Sequence, residues 1–367
     1  MLQIKLLEKN IEERMQGDLS EGNIGGAAVA VTEGGQVIYK KCFGYESLTE
    51  NKPICENSLF RLASMTKPIT TACALSLVDE GRLSLSDDIA KYLPECASLP
   101  LRTPNGDGTF TDGGVISGIT VEQLFCHSSG IVSGGMFDQM TKKDRESRES
   151  AFSYYIKNGV AFVPGTMQEY NASASFDMAI MIMERITDEP YESFLKRRIL
   201  DPCGMKDTFY VRTDAQATRL VAMMDKKDGK AIHSVADEKG EAVDYARSVH
   251  WGGAGLSSTL DDYLRFAEML RGRGAIDNTR VLSEDAIKNM SSVHFSPWGL
   301  GVRVIEQSYG TLNPGAFGWS GAYGTHFWVD PVADITAVYM KNSRYDGGAG
   351  ALTAYQFEQD VYRAWEE

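Results

Sequence analysis

Ser64 and Lys67, in Ser64-Met65-Thr66-Lys67, are the pair whose residue types and spacing can do chemistry. On a helix, side chains three apart project from one face within contact distance, so the amine can take the serine proton. The oxygen then becomes a nucleophile able to form an acyl-enzyme. This requires burial or a neighbouring cation to favour the uncharged amine, and a third polar group in a dry cleft. Spacing alone does not decide the matter, because roughly one such match arises by chance in a chain this long, and a second stands at Ser193-Phe194-Leu195-Lys196. Ser64 follows the apolar run Leu59-Phe60-Arg61-Leu62-Ala63 and precedes an apolar helix with Pro68 in its first turn. At a helix start, free N–H groups and the positive dipole end can stabilise an oxyanion. Ser193 falls inside an amphipathic helix with Lys196, Arg197 and Arg198 on its wet side, and reads as a surface residue. On the spacing alone, a plain N-cap role for Ser64 stays open.

Other constellations carry less. His127 lies beside Ser128 and Ser129, which suggests a triad, but a helix-end histidine bonding backbone accounts for it as well. Gly318-Trp319-Ser320-Gly321-Ala322 falls one residue short of a nucleophile elbow, and it runs into strand at Thr325 to Val329 where an elbow needs a helix. Asp107 and Asp112 do not fit an EF-hand loop, and the five histidines have no spacing that holds a metal, so no metal or cofactor is expected.

The elements around these residues follow from periodicity. Residues 2 to about 16 set Leu2, Leu6, Ile11 and Met15 on one helical stripe. Ala28 to Thr32 and Val37 to Lys41 flank a glycine turn and read as a hairpin. Near the other end, Thr325 to Val329 and Ile335 to Met340 are strands, and Ala354, Phe357, Val361, Ala364 and Trp365 recur at helical spacing. Between them, Pro68 to Glu80, Thr120 to Cys126, Asp177 to Ile186 and Tyr191 to Leu200 read as helices. Thr103 to Gly118 reads as a surface hairpin or loop, and Asp225 to Asp244 as a mobile polar excursion. The simplest assembly is an α+β domain over 1–367. One antiparallel sheet drawn from about 1–60 and 250–367 is flanked by the N- and C-terminal helices, with a mainly helical lobe, about 61–249, inserted.

Composition bounds the partners. The chain has 367 residues, 43% of them hydrophobic, enough to fill a large core. Its 50 acidic residues against 37 basic ones give a net charge of -13, which argues against a nucleic-acid partner. No run approaches the roughly 18 apolar residues of a membrane span, and the N-terminus lacks a signal-peptide core. The six cysteines are scattered without a CxxC pair and are expected as reduced thiols of a cytoplasmic protein.

The segment from Phe60 to Pro68 resembles the nucleophile segment of the serine β-lactamase, penicillin-binding-protein and family VIII carboxylesterase superfamily, whose first motif is Ser-x-x-Lys. Four further segments follow in the order of that family. Thr120 to Gly130 looks like its helix ending in His-Thr-Ser-Gly, and Pro164-Gly165-Thr166 precedes Tyr170 as it precedes the family's tyrosine. Gly252 to Ser258 resembles its glycine-rich segment, and Trp319-Ser320-Gly321 stands at its third motif. The resemblance spans roughly 20–345, closest to the family VIII carboxylesterases, and implies the serine β-lactamase fold. It further implies Ser64 as nucleophile, Lys67 and Tyr170 sharing the proton transfers, and the backbone N–H groups of Ser64 and Ala322 as oxyanion hole, with no cofactor. In the family the His-Ser-Ser-Gly turn is structural.

Two departures bear on substrate. The second motif, usually Tyr-x-Asn, reads Tyr170-Asn171-Ala172-Ser173, with one residue inserted by the count back from Phe176-Asp177, so Asn171 or Ser173 is expected to supply the missing hydrogen bond. The third motif has Trp319 where β-lactamases carry a cation for the substrate carboxylate. Tryptophan offers an apolar wall that suits neutral acyl esters, and Ser320 and Gly321 complete the expected substrate-binding set. The expectation is therefore a carboxylesterase on small acyl esters. A β-lactamase, a D-amino-acid peptidase or acyltransferase with the same nucleophile, and a catalytically silent ligand- or partner-binding relative are the alternatives. Sequence does not give the oligomeric state.

Overall fold

Alternation to two faces makes the strand Gly26–Glu33 the middle of the molecule: Ala28 and Ala30 pack into one apolar core, and Ala27, Val29 and Val31 into another. A strand covered on both sides needs apolar residues at every position, and complete burial of one valine is worth about 1.5–3 kcal/mol. The computed structural model describes residues 1–210, 213–234, 250–308 and 311–365. In it, Gly26–Glu33 pairs antiparallel with Gln36–Ser47 on one side and with Ile335–Met340 on the other. The seven-stranded sheet runs in the order Arg303–Val304, Phe317–Ser320, His326–Asp330, Ile335–Met340, Gly26–Glu33, Gln36–Ser47, Lys52–Pro53.

One face is covered by the helices Ile4–Ser20 and Leu352–Tyr362, which bury Leu7, Ile11 and Met15 with Phe357 and Val361 against Val29, Trp328 and Tyr339. Arg14 Nε pins the two helices together through Asp360, at 2.8 Å. The other face packs against the helix Leu260–Arg271 and the mainly helical part of the chain, sharing one core with the helices Thr66–Asp79 and Ala174–Thr187. The chain thus has the expected α+β arrangement, an antiparallel sheet with the terminal helices on one face and the inserted helical structure on the other.

Several elements differ from expectation. The polar stretch 225–244 begins as a hairpin, Met224–Lys227 paired with Lys230–His233, while residues 235–244 lie outside the described residues. The helix Tyr191–Leu195 continues as a π turn over Lys196–Leu200. Helices Arg148–Asn158, Leu260–Arg271 and Glu284–Met290 carry N-cap signals, Ser147, Thr259 and Ser283, whose side chains each accept a backbone N–H. Among the described residues no helix is long and apolar enough to cross a membrane.

Candidate active site

Ser64 sits in a single 3-10 turn, Ala63–Met65, that leads into the buried helix Thr66–Asp79. The turn begins with Ala63 at φ 47°, a left-handed conformation that costs an alanine about 1 kcal/mol and aims the following serine out of the helix axis. Neither Leu62 nor Met65 caps the helix with a side chain, and the Ser64 hydroxyl bonds Lys67 instead of a backbone N–H, which removes the N-cap alternative.

Lys67 is fully buried, and its Nζ lies 3.4 Å from Ser64 Oγ, 2.7 Å from the Ala172 carbonyl and 2.9 Å from the Gly253 carbonyl. Carbonyl oxygens only accept. In the amine form, two N–H bonds therefore go to the carbonyls, and the lone pair is left toward Ser64. In the ammonium form the third N–H donates to Ser64. A pair so arranged can pass a proton from the serine to the amine, across a distance somewhat longer than that of a tight hydrogen bond. Gly253 has to be glycine for this contact: a Cβ there would stand 2.5 Å from the Ala172 carbonyl and 3.1 Å from Lys67 Nζ.

The expected polar partners from the second motif are engaged elsewhere. Asn171 Nδ2 donates to the Ile131 carbonyl at 2.6 Å and its Oδ1 accepts the Ser175 N–H at 3.0 Å. Ser173 Oγ donates to Asp177 at 2.5 Å. The missing asparagine is thus replaced by main-chain carbonyls. Of the residues expected here, Tyr170 lies with its ring centroid 5.0 Å from Lys67 Nζ, and its hydroxyl accepts the Trp319 Nε1–H at 3.3 Å. That donor fixes the phenol and leaves its own proton free to be directed elsewhere.

Trp298 completes the wall and was missed by sequence reading. Its ring stacks on Tyr170 at 5.7 Å, meets Trp319 edge-on at 4.6 Å and His127 at 4.3 Å, and its Nε1 donates to Gln168 at 3.0 Å. His127 is buried, and its Nδ1 accepts the Asn171 N–H at 3.0 Å. Burial, then the charge of Lys67, holds its pKa well below the ordinary histidine value, so it serves as a neutral support for the Tyr170 segment and not as a base.

The two backbone N–H groups expected to hold an oxyanion come from neighbouring segments. Thr325 Oγ1 donates to the Leu62 carbonyl at 3.0 Å and the Gly321 N–H bonds the Thr325 carbonyl at 2.7 Å, tying the end of the strand Phe317–Ser320 to the Ser64 turn. A Cβ on Gly321 would meet Leu62 O at 2.3 Å, so glycine here permits the close approach of the two segments. The N–H groups of Ser64 and Ala322 have no acceptor among the described residues. Ser320 is misplaced by the sequence reading. Trp319 and Ser320 alternate across the strand, so the Trp319 ring packs on Tyr170 while the Ser320 hydroxyl bonds His326 Nδ1 at 2.8 Å, beside a cavity of about 370 Å³ lined by Trp319, Ser320, Trp328 and Glu358. The other serine–lysine pair, Ser193 and Lys196, is exposed, with Lys196 paired to Asp201.

Behind the Ala322 turn, buried Lys341 Nζ bonds Asp346 at 2.9 Å and Thr353 Oγ1 at 2.8 Å, and the Gly348 N–H reaches the Gly321 carbonyl at 2.8 Å. Burial raises the Asp346 carboxyl, but the Lys341 charge and the Thr353 hydrogen bonds outweigh it and bring its pKa down to about 2. A depressed carboxylate stabilises the fold above its unfolded value and loses that contribution as pH falls through the folded one, here from about pH 4 to about pH 2. The contribution is at most about 2 kcal/mol, partly offset by the desolvation of Lys341. Asp346→Asn is therefore expected to be less stable than wild type in urea unfolding at neutral pH, with the difference shrinking over that acid window. A difference that stays constant down to pH 2 would show the carboxylate charge to be irrelevant.

Comparison with known proteins follows the same lines. The Beta-lactamase family pattern matches residues 7–360. Lovastatin esterase of Penicillium rubens is 30% identical over 97% of this chain and 99% of its own. Esterase EstB of Burkholderia gladioli is 26% identical over 91% and 90%. Among solved structures, EstCE1, described as a hydrolase with promiscuous acyltransferase activity, superposes with a TM-score of 0.82 at 22% identity, covering 98% of this chain and 99% of that one.

Proposed function

This chain belongs to the Beta-lactamase family, and we propose that it is a serine carboxylesterase that cleaves small neutral acyl esters through an acyl-Ser64 intermediate. The observation that carries the reading is the Ser64–Lys67 contact, with Lys67 Nζ fixed by two carbonyls so that its remaining direction faces the serine oxygen. In the proposed reaction, Ser64 Oγ attacks the ester carbonyl and its proton passes to Lys67. The oxyanion of the tetrahedral intermediate is held by the Ser64 and Ala322 N–H groups. Lys67 and Tyr170 return the proton to the departing alcohol, and water, deprotonated by the same groups, releases the acid. Passing the acyl group to an alcohol instead of water uses the same intermediate.

Substrate polarity follows from the walls. Trp319 and Trp298, both largely buried, pack on Tyr170 with ring centroids 5.3 and 5.7 Å from its own, and Val163 and Met167, on the segment leading to Tyr170, are exposed at 46% and 55%. On this reading these aromatic and apolar side chains favour apolar acyl or alkoxy groups, and none of them supplies a counter-charge to a carboxylate. A missing charge-assisted contact is worth about 1.5–3 kcal/mol, or roughly ten- to a hundredfold. Short p-nitrophenyl esters are therefore expected to be hydrolysed with a kcat/KM at least about tenfold above that for a chromogenic cephalosporin. The reverse order would favour a β-lactamase. On this reading the protein works in the reducing cytoplasm, where cysteines left as free thiols are the ordinary state.

A further inference from the structure

We propose that Asp177 is the positioning residue of this site, locking in place the two main-chain carbonyls that hold Lys67. Asp177 stands in the first turn of the helix Ala174–Thr187 and is about 1% exposed. Its Oδ1 accepts the Gly252 N–H at 2.7 Å, and its Oδ2 accepts the Ser173 hydroxyl at 2.5 Å and the Tyr155 hydroxyl at 2.9 Å. Gly252 and Ser173 are each one residue away from a carbonyl that grips Lys67, those of Gly253 and Ala172. One carboxylate thus fastens together two segments, 171–173 and 252–253, that are distant in sequence and share no helix or strand. Each segment has anchors of its own, the Thr70 hydroxyl on the Gly252 carbonyl at 2.8 Å and the Phe176 N–H on the Ser173 carbonyl at 2.9 Å. Asp177 bonds to both, so its loss loosens the two carbonyls together and with them the direction of the lysine lone pair toward Ser64. Tyr155 extends the lock to the helix Arg148–Asn158. The carboxylate thereby holds in place the carbonyls that stand where the second motif lacks its asparagine.

The assignment rests on the reading that Lys67 activates Ser64, and its test separates the two. Steady-state kcat and KM on a short p-nitrophenyl ester, with thermal unfolding as a control of fold, would be measured for wild type, Asp177→Ala, Asp177→Asn and Ser173→Ala. Misplacing a reacting group by about 1 Å costs on the order of a hundredfold. Asp177→Ala is therefore expected to lose about a hundredfold in kcat with KM within about threefold, since Asp177 does not reach the cleft. Asp177→Asn keeps the shape: its oxygen can hold Gly252 N–H while its amide donates to the Ser173 and Tyr155 oxygens, which can reverse their roles. It is expected to stay within about tenfold of wild type, and Ser173→Ala, which frees only the Ala172 side, to lose about tenfold. Wild-type kcat in folded Asp177→Ala, or in Ser173→Ala should the former not fold, would overturn the assignment. So would an Asp177→Asn variant as inactive as Asp177→Ala, because charge and not position would then be what Asp177 supplies. A wild-type protein inert toward esters would instead remove the Ser64 reading itself.

Discussion

Ser64→Ala is expected to lower kcat/KM for a short ester by at least about 10⁴-fold, a loss of about 5 kcal/mol in transition-state stabilisation, without unfolding the protein. The substitution deletes one oxygen, whose only hydrogen bond among the described residues is the 3.4 Å contact with Lys67, so the fold has little to lose. The chemistry loses its covalent route. What remains is the oxyanion pair and the walls, which can still polarise an ester toward water and leave a small residual rate. A variant with a tenth of wild-type turnover would place the nucleophile elsewhere.

The second large effect concerns Lys67. Lys67→Met keeps the volume of the buried stem and removes the base, and general-base catalysis is typically worth about 10²–10⁴-fold, so kcat is expected to fall about 10³-fold. The variant also orphans the Ala172 and Gly253 carbonyls, each left without a donor at a cost of about 1–3 kcal/mol, so a lower melting temperature should accompany the loss. Lys67→Arg separates a proton-transfer role from a merely cationic one. A guanidinium can donate to the same carbonyls and keep the charge, but it does not release a proton near neutral pH. It is expected to be about as slow as Lys67→Met, and Lys67→Arg turnover within tenfold of wild type would contradict proton transfer by Lys67. Melting curves and ester kinetics on the two variants check both parts.

The residues legible from sequence are those whose chemistry is local. Ser64 and Lys67 are three apart on one helical turn, so their contact follows from helix geometry, and the strand Ile335–Met340 follows from its β-rich composition. Main-chain atoms have no sequence signature. The absent asparagine of the second motif therefore suggested a substitute side chain, Asn171 or Ser173, where the structure uses the carbonyls of Ala172 and Gly253. Ser320 was misread for a different reason: Phe317–Ser320 was not marked as a strand, and without the strand its alternation could not send Trp319 and Ser320 to opposite faces. Trp298 reaches the site from a loop some 130 residues beyond Gln168, its hydrogen-bond partner, and only the tertiary fold brings them together. Asp177 has no signature in the spacing, because its three hydrogen-bond partners, Tyr155, Ser173 and Gly252, are brought around it only by the tertiary fold.

The central claim, that Ser64 is an activated nucleophile, is tested most directly by intact-mass spectrometry of the folded protein after incubation with a fluorophosphonate, wild type beside Ser64→Ala. The account predicts a single adduct on wild type, mapping by peptide digestion to Ser64, and none on the variant. An unmodified wild type, or an adduct that persists in Ser64→Ala, would contradict it.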